Sequence, residues 1–203
     1  MHDKSLHSKA LQLSYFTVGY NLLEGIVSIT AGLLAGSGAL LGFGFDSFIE
    51  SLSGSVMIWR FRKGGERSEA EEERIEKIAT KLVAVTFFLL GAYVLYESIT
   101  SLLNREIPQR SLLGVIITVL SILIMPPLAY LKHQTGKKLN SKSLIADSKQ
   151  TLICVLLSVV TLLGLGLNYF FNFWQADPLA GILIALYLWK EGYEAFRGEA
   201  DAD

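Results

Sequence analysis

The chain has 203 residues, of which 51% are hydrophobic and 18% charged, with a net charge of −1 and a mean hydropathy of +0.42. The charges crowd into short blocks separated by long apolar runs, which argues against a water-soluble domain and for a multi-pass membrane protein. No basic stripe with interleaved aromatics is present, so no nucleic-acid partner is expected.

At about 20 residues per crossing, the apolar runs predict six helical spans. They lie at roughly 10–34, 39–60, 78–103, 111–131, 142–168 and 177–197. The polar start MHDKSLHSK and the length of the first run argue for a retained span rather than a cleaved signal peptide. The first span carries Tyr20, Asn21 and Glu24, and GSG at 36–38 turns the chain into the second, which carries Asp46 and Glu50. The block RKGGERSEAEEERIEK, 62–77, mixes both signs. It reads as a solvated helical extension of the third span, with a cation-attracting entrance as the sharper alternative.

The third span holds Glu97 toward its outer end, and NREIPQR at 104–110 leads to the fourth. Pro126 and Pro127 should kink or end that helix. The fifth span carries Asp147, Gln150, Thr151 and Cys154, and NFWQADP sets Pro178 at the start of the sixth. Cys154 is the single cysteine, so no internal disulfide is expected.

Lysine and arginine placement gives the orientation. Lys4 and Lys9 precede the first span, Arg60, Arg62, Lys63 and Arg67 follow the second, and Lys190 and Arg197 close the sixth. Lys132, Lys137, Lys138 and Lys142 are read as the loop between the fourth and fifth, and the opposite loops hold only Arg105 and Arg110. The expected fold is an all-α bundle of six transmembrane helices with both termini cytoplasmic. Its parts are an N-terminal segment 1–9, a transmembrane domain 10–197 and a short tail 198–203.

A carboxylate at mid-helix costs about 2.5–3.5 kcal/mol on insertion scales, so such residues face a partner or a water-filled path. Asp46 and Glu50 stand four residues apart and therefore share one helical face. Their flanks offer no cation, and two close carboxylates repel. A divalent cation removes that conflict. Asp147, Gln150 or Thr151, and Cys154 form a second stripe at i, i+3/i+4 and i+7. Two facing stripes of oxygen and sulfur donors make a tetrahedral pocket feasible. Glu50 and Cys154 both fall near mid-membrane at about 1.5 Å per residue. Asp147 lies roughly two turns nearer the cytoplasm and fits an access route as well as a ligand. For Glu24 and Glu97 a purely structural hydrogen-bonding role is equally open.

These segments resemble the cation diffusion facilitators, the cation efflux family. NLLEGIVSITAGLLAGSGALL is similar to their first helix and its turn, ALLGFGFDSFIES to the second, SLIADSKQTLIC to the fifth and WQADPLAGILIALYLWKEG to the sixth. The resemblance implies a six-helix metal transporter, usually a homodimer, that exchanges zinc or a similar divalent ion for protons. It implies a transport site between the second and fifth helices, with Asp46 and Glu50 as its acids. On the fifth helix, Gln150 stands where the family has histidine and Cys154 where it has a second acid. The chain therefore resembles a divergent subgroup. A thiolate still suits zinc, cadmium or cobalt, and Asp147 or Thr151 can compensate for glutamine. After Arg197 only GEADAD follows, so the family's C-terminal cytoplasmic domain is expected to be absent and a homodimer would be held by membrane helices.

The expectation is thus a transporter of divalent metal as substrate, zinc first and cobalt, cadmium, manganese or iron next. Its surroundings would be the lipid bilayer of a bacterial or archaeal plasma membrane. A metal-permeable channel, or a metal-binding membrane protein without proton coupling, is the alternative. An enzyme is not expected. GFGFD superficially suggests the Gly-x-Gly-Asp signature of intramembrane aspartyl proteases, but its Asp falls one residue late.

Overall fold

The computed structural model describes residues 2–35, 38–62, 69–105, 112–171 and 175–197. They form six helices: α1 (His2–Ala35), α2 (Gly38–Phe61), α3 (Glu69–Asn104), α4 (Leu112–Leu139), α5 (Lys142–Phe171) and α6 (Ala176–Arg197). The all-α six-helix expectation therefore holds. The tip of the turn at 36–37, the loop part 63–68, the connection 106–111, residues 172–174 and the tail 198–203 lie outside the described residues.

α1 packs against α2 and α4, α4 against α5, and α5 against α2. These four helices close a ring. α3 and α6 pair with each other and lie along α2 and α5. The distribution of side chains is inverted relative to a soluble protein. Leu34 is 84% exposed, Leu112 78% and Leu183 69%, whereas Asn21, Glu50, Lys132, Asp147 and Thr151 are wholly buried. Hydrocarbon outside and polar groups inside is the arrangement that a bilayer selects. Four segments, Ser5–Leu34, Glu73–Asn104, Leu112–Leu139 and Lys142–Val160, are long and apolar enough to cross a membrane. α2 and α6 are the shorter helices, and α2 also carries Asp46, Glu50 and four serines.

Several buried hydroxyls are satisfied within their own helices. Ser14 donates to the Ala10 carbonyl (2.8 Å), Thr118 to Gly114 (2.7 Å) and Ser158 to Cys154 (2.9 Å), as a solvent without donors requires.

Two details differ from the sequence reading. α4 runs through Pro126 and Pro127 and continues to Leu139. Proline is tolerated in a membrane helix when neighbours compensate the freed backbone groups. The helix ends instead at Asn140, whose φ of 52° closes it, with the Ser141 N–H bonding back to the Gly136 carbonyl at 2.9 Å. Lys132, Lys137 and Lys138 consequently lie on a helix and not in a loop.

The acidic block is also more than a solvated extension. Glu73 and Lys77 do form an exposed i, i+4 pair at 2.6 Å. Glu76, however, meets Arg60 of α2 at 2.8 Å and accepts the Ser143 N–H at 2.7 Å and the Ser141 hydroxyl at 3.1 Å. One carboxylate thus pairs with the C-terminal turn of α2 and caps the N-terminus of α5 from α3.

Candidate cation site

The site begins with a close crossing of α1 and α2. A Cβ on Gly44 would stand 2.6 Å from Ile29 Cγ1 and 3.0 Å from the Gly25 carbonyl oxygen. That absence of side chains brings Ser47 to Glu24, with the Ser47 hydroxyl donating to Glu24 Oε2 at 2.9 Å. Any side chain at Gly42 would overlap the Glu97 carboxylate. The glycines of GFGFD therefore serve helix approach, the role a protease signature would not require.

Asp46 and Glu50 point inward from α2, 2% and 0% exposed. Neither oxygen of Asp46 accepts an N–H or O–H, and Glu50 Oε2 and Glu24 Oε1 make no hydrogen bond either. The Cys154 thiol of α5 lies among these three carboxylates, with Ser121 Oγ of α4 4.0 Å from its sulfur. Asn21, buried on α1 one turn before Glu24, has no partner for its amide oxygen or nitrogen. Ser14, Thr17, Asn21, Glu24 and Ser28 are all buried. Their three- and four-residue spacing makes one polar stripe along α1.

The other half of the fifth-helix stripe is already engaged. Asp147 accepts the Ser53 hydroxyl at 2.5 Å and pairs with Lys132 Nζ at 2.8 Å, both charged side chains wholly buried. Thr151 Oγ1 accepts from Lys132 Nζ at 2.8 Å and donates to Glu50 Oε1 at 2.6 Å. Gln150 Oε1 accepts the Thr86 hydroxyl of α3 at 2.8 Å. The six residues singled out in the sequence therefore divide. Asp46, Glu50 and Cys154 face one another with open donors, while Asp147, Gln150 and Thr151 are held by side chains of α2, α3 and α4. Among the described residues, no three His, Cys, Asp or Glu side chains converge to ligating distance.

Sequence reasoning missed Lys132, which it assigned to a loop, and with it the cation near Glu50. It missed Ser53 and Thr86 as well, whose partners are 94 and 64 positions away. The pair Lys149–Glu191, at 2.8 Å between α5 and α6, was also unforeseen. The one available signal was the isolation of Lys132 from Lys137 and Lys138 by a full helical turn.

Residues 15–201 match the cation efflux transmembrane domain. The chain is 25% identical over 190 residues to Transmembrane protein 163 of Xenopus laevis, covering 93% of this chain and 66% of that one. It is 25% identical over 202 residues to a cadmium, cobalt and zinc/H(+)-K(+) antiporter of Bacillus subtilis, covering 97% and 63%. It is 27% identical over 178 residues to an uncharacterized transporter of Methanocaldococcus jannaschii, covering 86% and 62%. The chain thus spans 62–66% of the length of these relatives. With an inverted six-helix bundle and a family match over nearly its whole length, this integral membrane protein belongs to the cation efflux family.

Proposed function

We propose that the chain moves divalent metal cations across a membrane by metal/proton antiport, with zinc as the first candidate substrate and cadmium and cobalt next. The observation that carries this reading is Asp46: a buried carboxylate that no N–H or O–H group engages and that meets only the Cys154 thiol. A buried, unpaired carboxylate is too costly to retain as mere packing. Open oxygens on Glu50 and Glu24 and the Cys154 thiol surround it. This donor set mixes hard oxygen with soft sulfur and suits zinc, cadmium or cobalt. The Bacillus subtilis relative is named for those three metals and for protons.

In this mechanism the ion enters from the cytoplasm past the Arg60–Glu76 end and displaces protons from Asp46, Glu50 and Cys154. Glu24 joins from α1. Because α1 and α2 are locked together by the Gly25–Gly44 crossing, they move as a unit against α5 when the site changes sides. Protons taken up outside release the metal and neutralise the acids for the return. The protein works in a bacterial or archaeal plasma membrane as a homodimer.

The test is metal flux in proteoliposomes loaded with a zinc reporter, with pH followed in parallel. Zinc uptake that moves protons the other way, and that is lost in Asp46→Ala/Glu50→Ala, is expected. Zinc flux without proton movement would make the protein a channel. Flux that survives the double substitution would remove the site.

A further inference from the structure

Among the described residues, Lys132 is the one cation inside the polar ring, and its polar partners are defined. The side chain is wholly buried, its Nζ 2.8 Å from Asp147 Oδ2 and 2.8 Å from Thr151 Oγ1. Thr151 has one proton and passes it to Glu50 Oε1 at 2.6 Å, closer than its own-helix alternative, the Asp147 carbonyl at 3.2 Å. Ser53 occupies the second oxygen of Asp147. The ammonium therefore stands one hydroxyl away from Glu50. It takes one lone pair of Thr151 and one oxygen of Asp147 out of the set of free donors.

A buried lysine is expensive, and a single partner does not explain the arrangement. An isolated Lys132–Asp147 pair would hold α4 to α5 without touching α2. Here the positive charge is wired through Thr151 to one acid of the cation site and leaves Asp46 alone. Five carboxylates, those of Glu24, Asp46, Glu50, Glu97 and Asp147, form one connected neighbourhood with this fixed positive charge. A divalent ion at Asp46 and Glu50 experiences that charge as repulsion. A site that must release its ion as readily as it takes it up needs such a limit on affinity.

We infer that Lys132 is a tethered counter-cation: it bounds the metal site on the α4 side, removes Asp147 and Thr151 from coordination, and lowers the affinity for divalent metal. It is a positioning residue, and the inference rests on the metal-transport reading above. Lys132 and Asp147 should then act on metal affinity with opposite signs. Removing the lysine charge also frees Asp147, and both effects favour the metal. Removing the Asp147 charge leaves the ammonium unshielded beside Glu50, and metal binding weakens.

The test is zinc and cadmium titration calorimetry on the full chain in lipid nanodiscs at one fixed pH, with thermal melting of each variant. Lys132→Met should tighten binding at least tenfold and Asp147→Asn should weaken it at least tenfold. Lys132→Met/Asp147→Asn, which removes one charge of each sign, should return to within about threefold of the parent. Lys132→Arg should stay near the parent too. If Lys132→Met does not fold, Asp147→Asn against the double variant decides, since recovery on deleting the second charge is the same prediction. Weaker binding in both single variants, in step with lower melting temperatures, would reduce Lys132 to a structural ion pair. Unchanged affinity in both would also overturn the inference. No binding of either metal by the parent chain would remove the site itself, and that outcome is distinct from either of the others.

Discussion

Asp46 and Glu50 lie on one face of α2, yet only Glu50 receives a hydroxyl hydrogen bond, from Thr151 at 2.6 Å; no N–H or O–H reaches either Asp46 oxygen. The two acids are thus inequivalent. Glu50 is anchored across the α2–α5 interface and tied through Thr151 to Lys132. Asp46 is held only by its helix and confronts the Cys154 thiol. An acid met only by a thiol is available for a cation, and an acid held by a hydroxyl is positioned for it.

Asp46→Asn should therefore separate stability from binding. It replaces a buried acid, protonated in the metal-free form, by an amide of the same shape, so the stability of the metal-free protein should change by less than about 1 kcal/mol. Zinc affinity should fall by about two orders of magnitude, the loss of one charged ligand. Thermal melting and calorimetry on the same preparation read both. A stability loss above about 2 kcal/mol would assign Asp46 to packing.

Metal binding should strengthen as pH rises. Carboxylates and thiol must give up protons before they coordinate, so acidification favours the unloaded form. Each proton displaced adds about a tenfold change in apparent affinity per pH unit. Zinc titrations between mildly acidic and mildly alkaline buffers give the slope. A flat profile would mean that binding releases no protons and would contradict antiport.

Gly44→Ala should push α1 away from α2. The added methyl meets Ile29 Cγ1 and the Gly25 carbonyl, the latter a backbone atom that cannot rotate aside. A cost of about 1–3 kcal/mol is expected from overpacking, together with weaker zinc binding because Glu24 and Ser47 separate. Melting temperature and calorimetry check both. An unchanged protein would show that the crossing has slack.

Glu76→Gln should act on stability alone. It weakens the Arg60 pair and the cap on α5, both remote from Asp46, at a cost of about 1–3 kcal/mol. Metal affinity should remain within about twofold of the parent, measured by the same titration.

Much of this was legible in the chain. Apolar run lengths gave six helices, and the four-residue spacing of Asp46 and Glu50 gave a shared face because helical geometry is local. Glu24 stood out for the same reason, as a charge inside an apolar run. The sorting of the remaining donors was not legible. Whether Thr151 faces a metal or Lys132 depends on how α4 lies against α5, and whether Gln150 is free depends on Thr86 of α3. Lys132 was hidden by context: prolines upstream and lysines downstream suggested a loop, and only the continuation of α4 through Pro127 buries it. Glu76 was hidden in the same way, one acid of a charged block that happens to reach the start of α5.

Zinc binding by the purified chain, compared with Asp46→Ala/Glu50→Ala, decides whether the two acids of α2 hold the metal. Saturable binding is expected in the parent and none in the variant, with both proteins folded by melting temperature. Equal binding in the two would contradict that expectation, since the two acids of α2 would then not be the metal site.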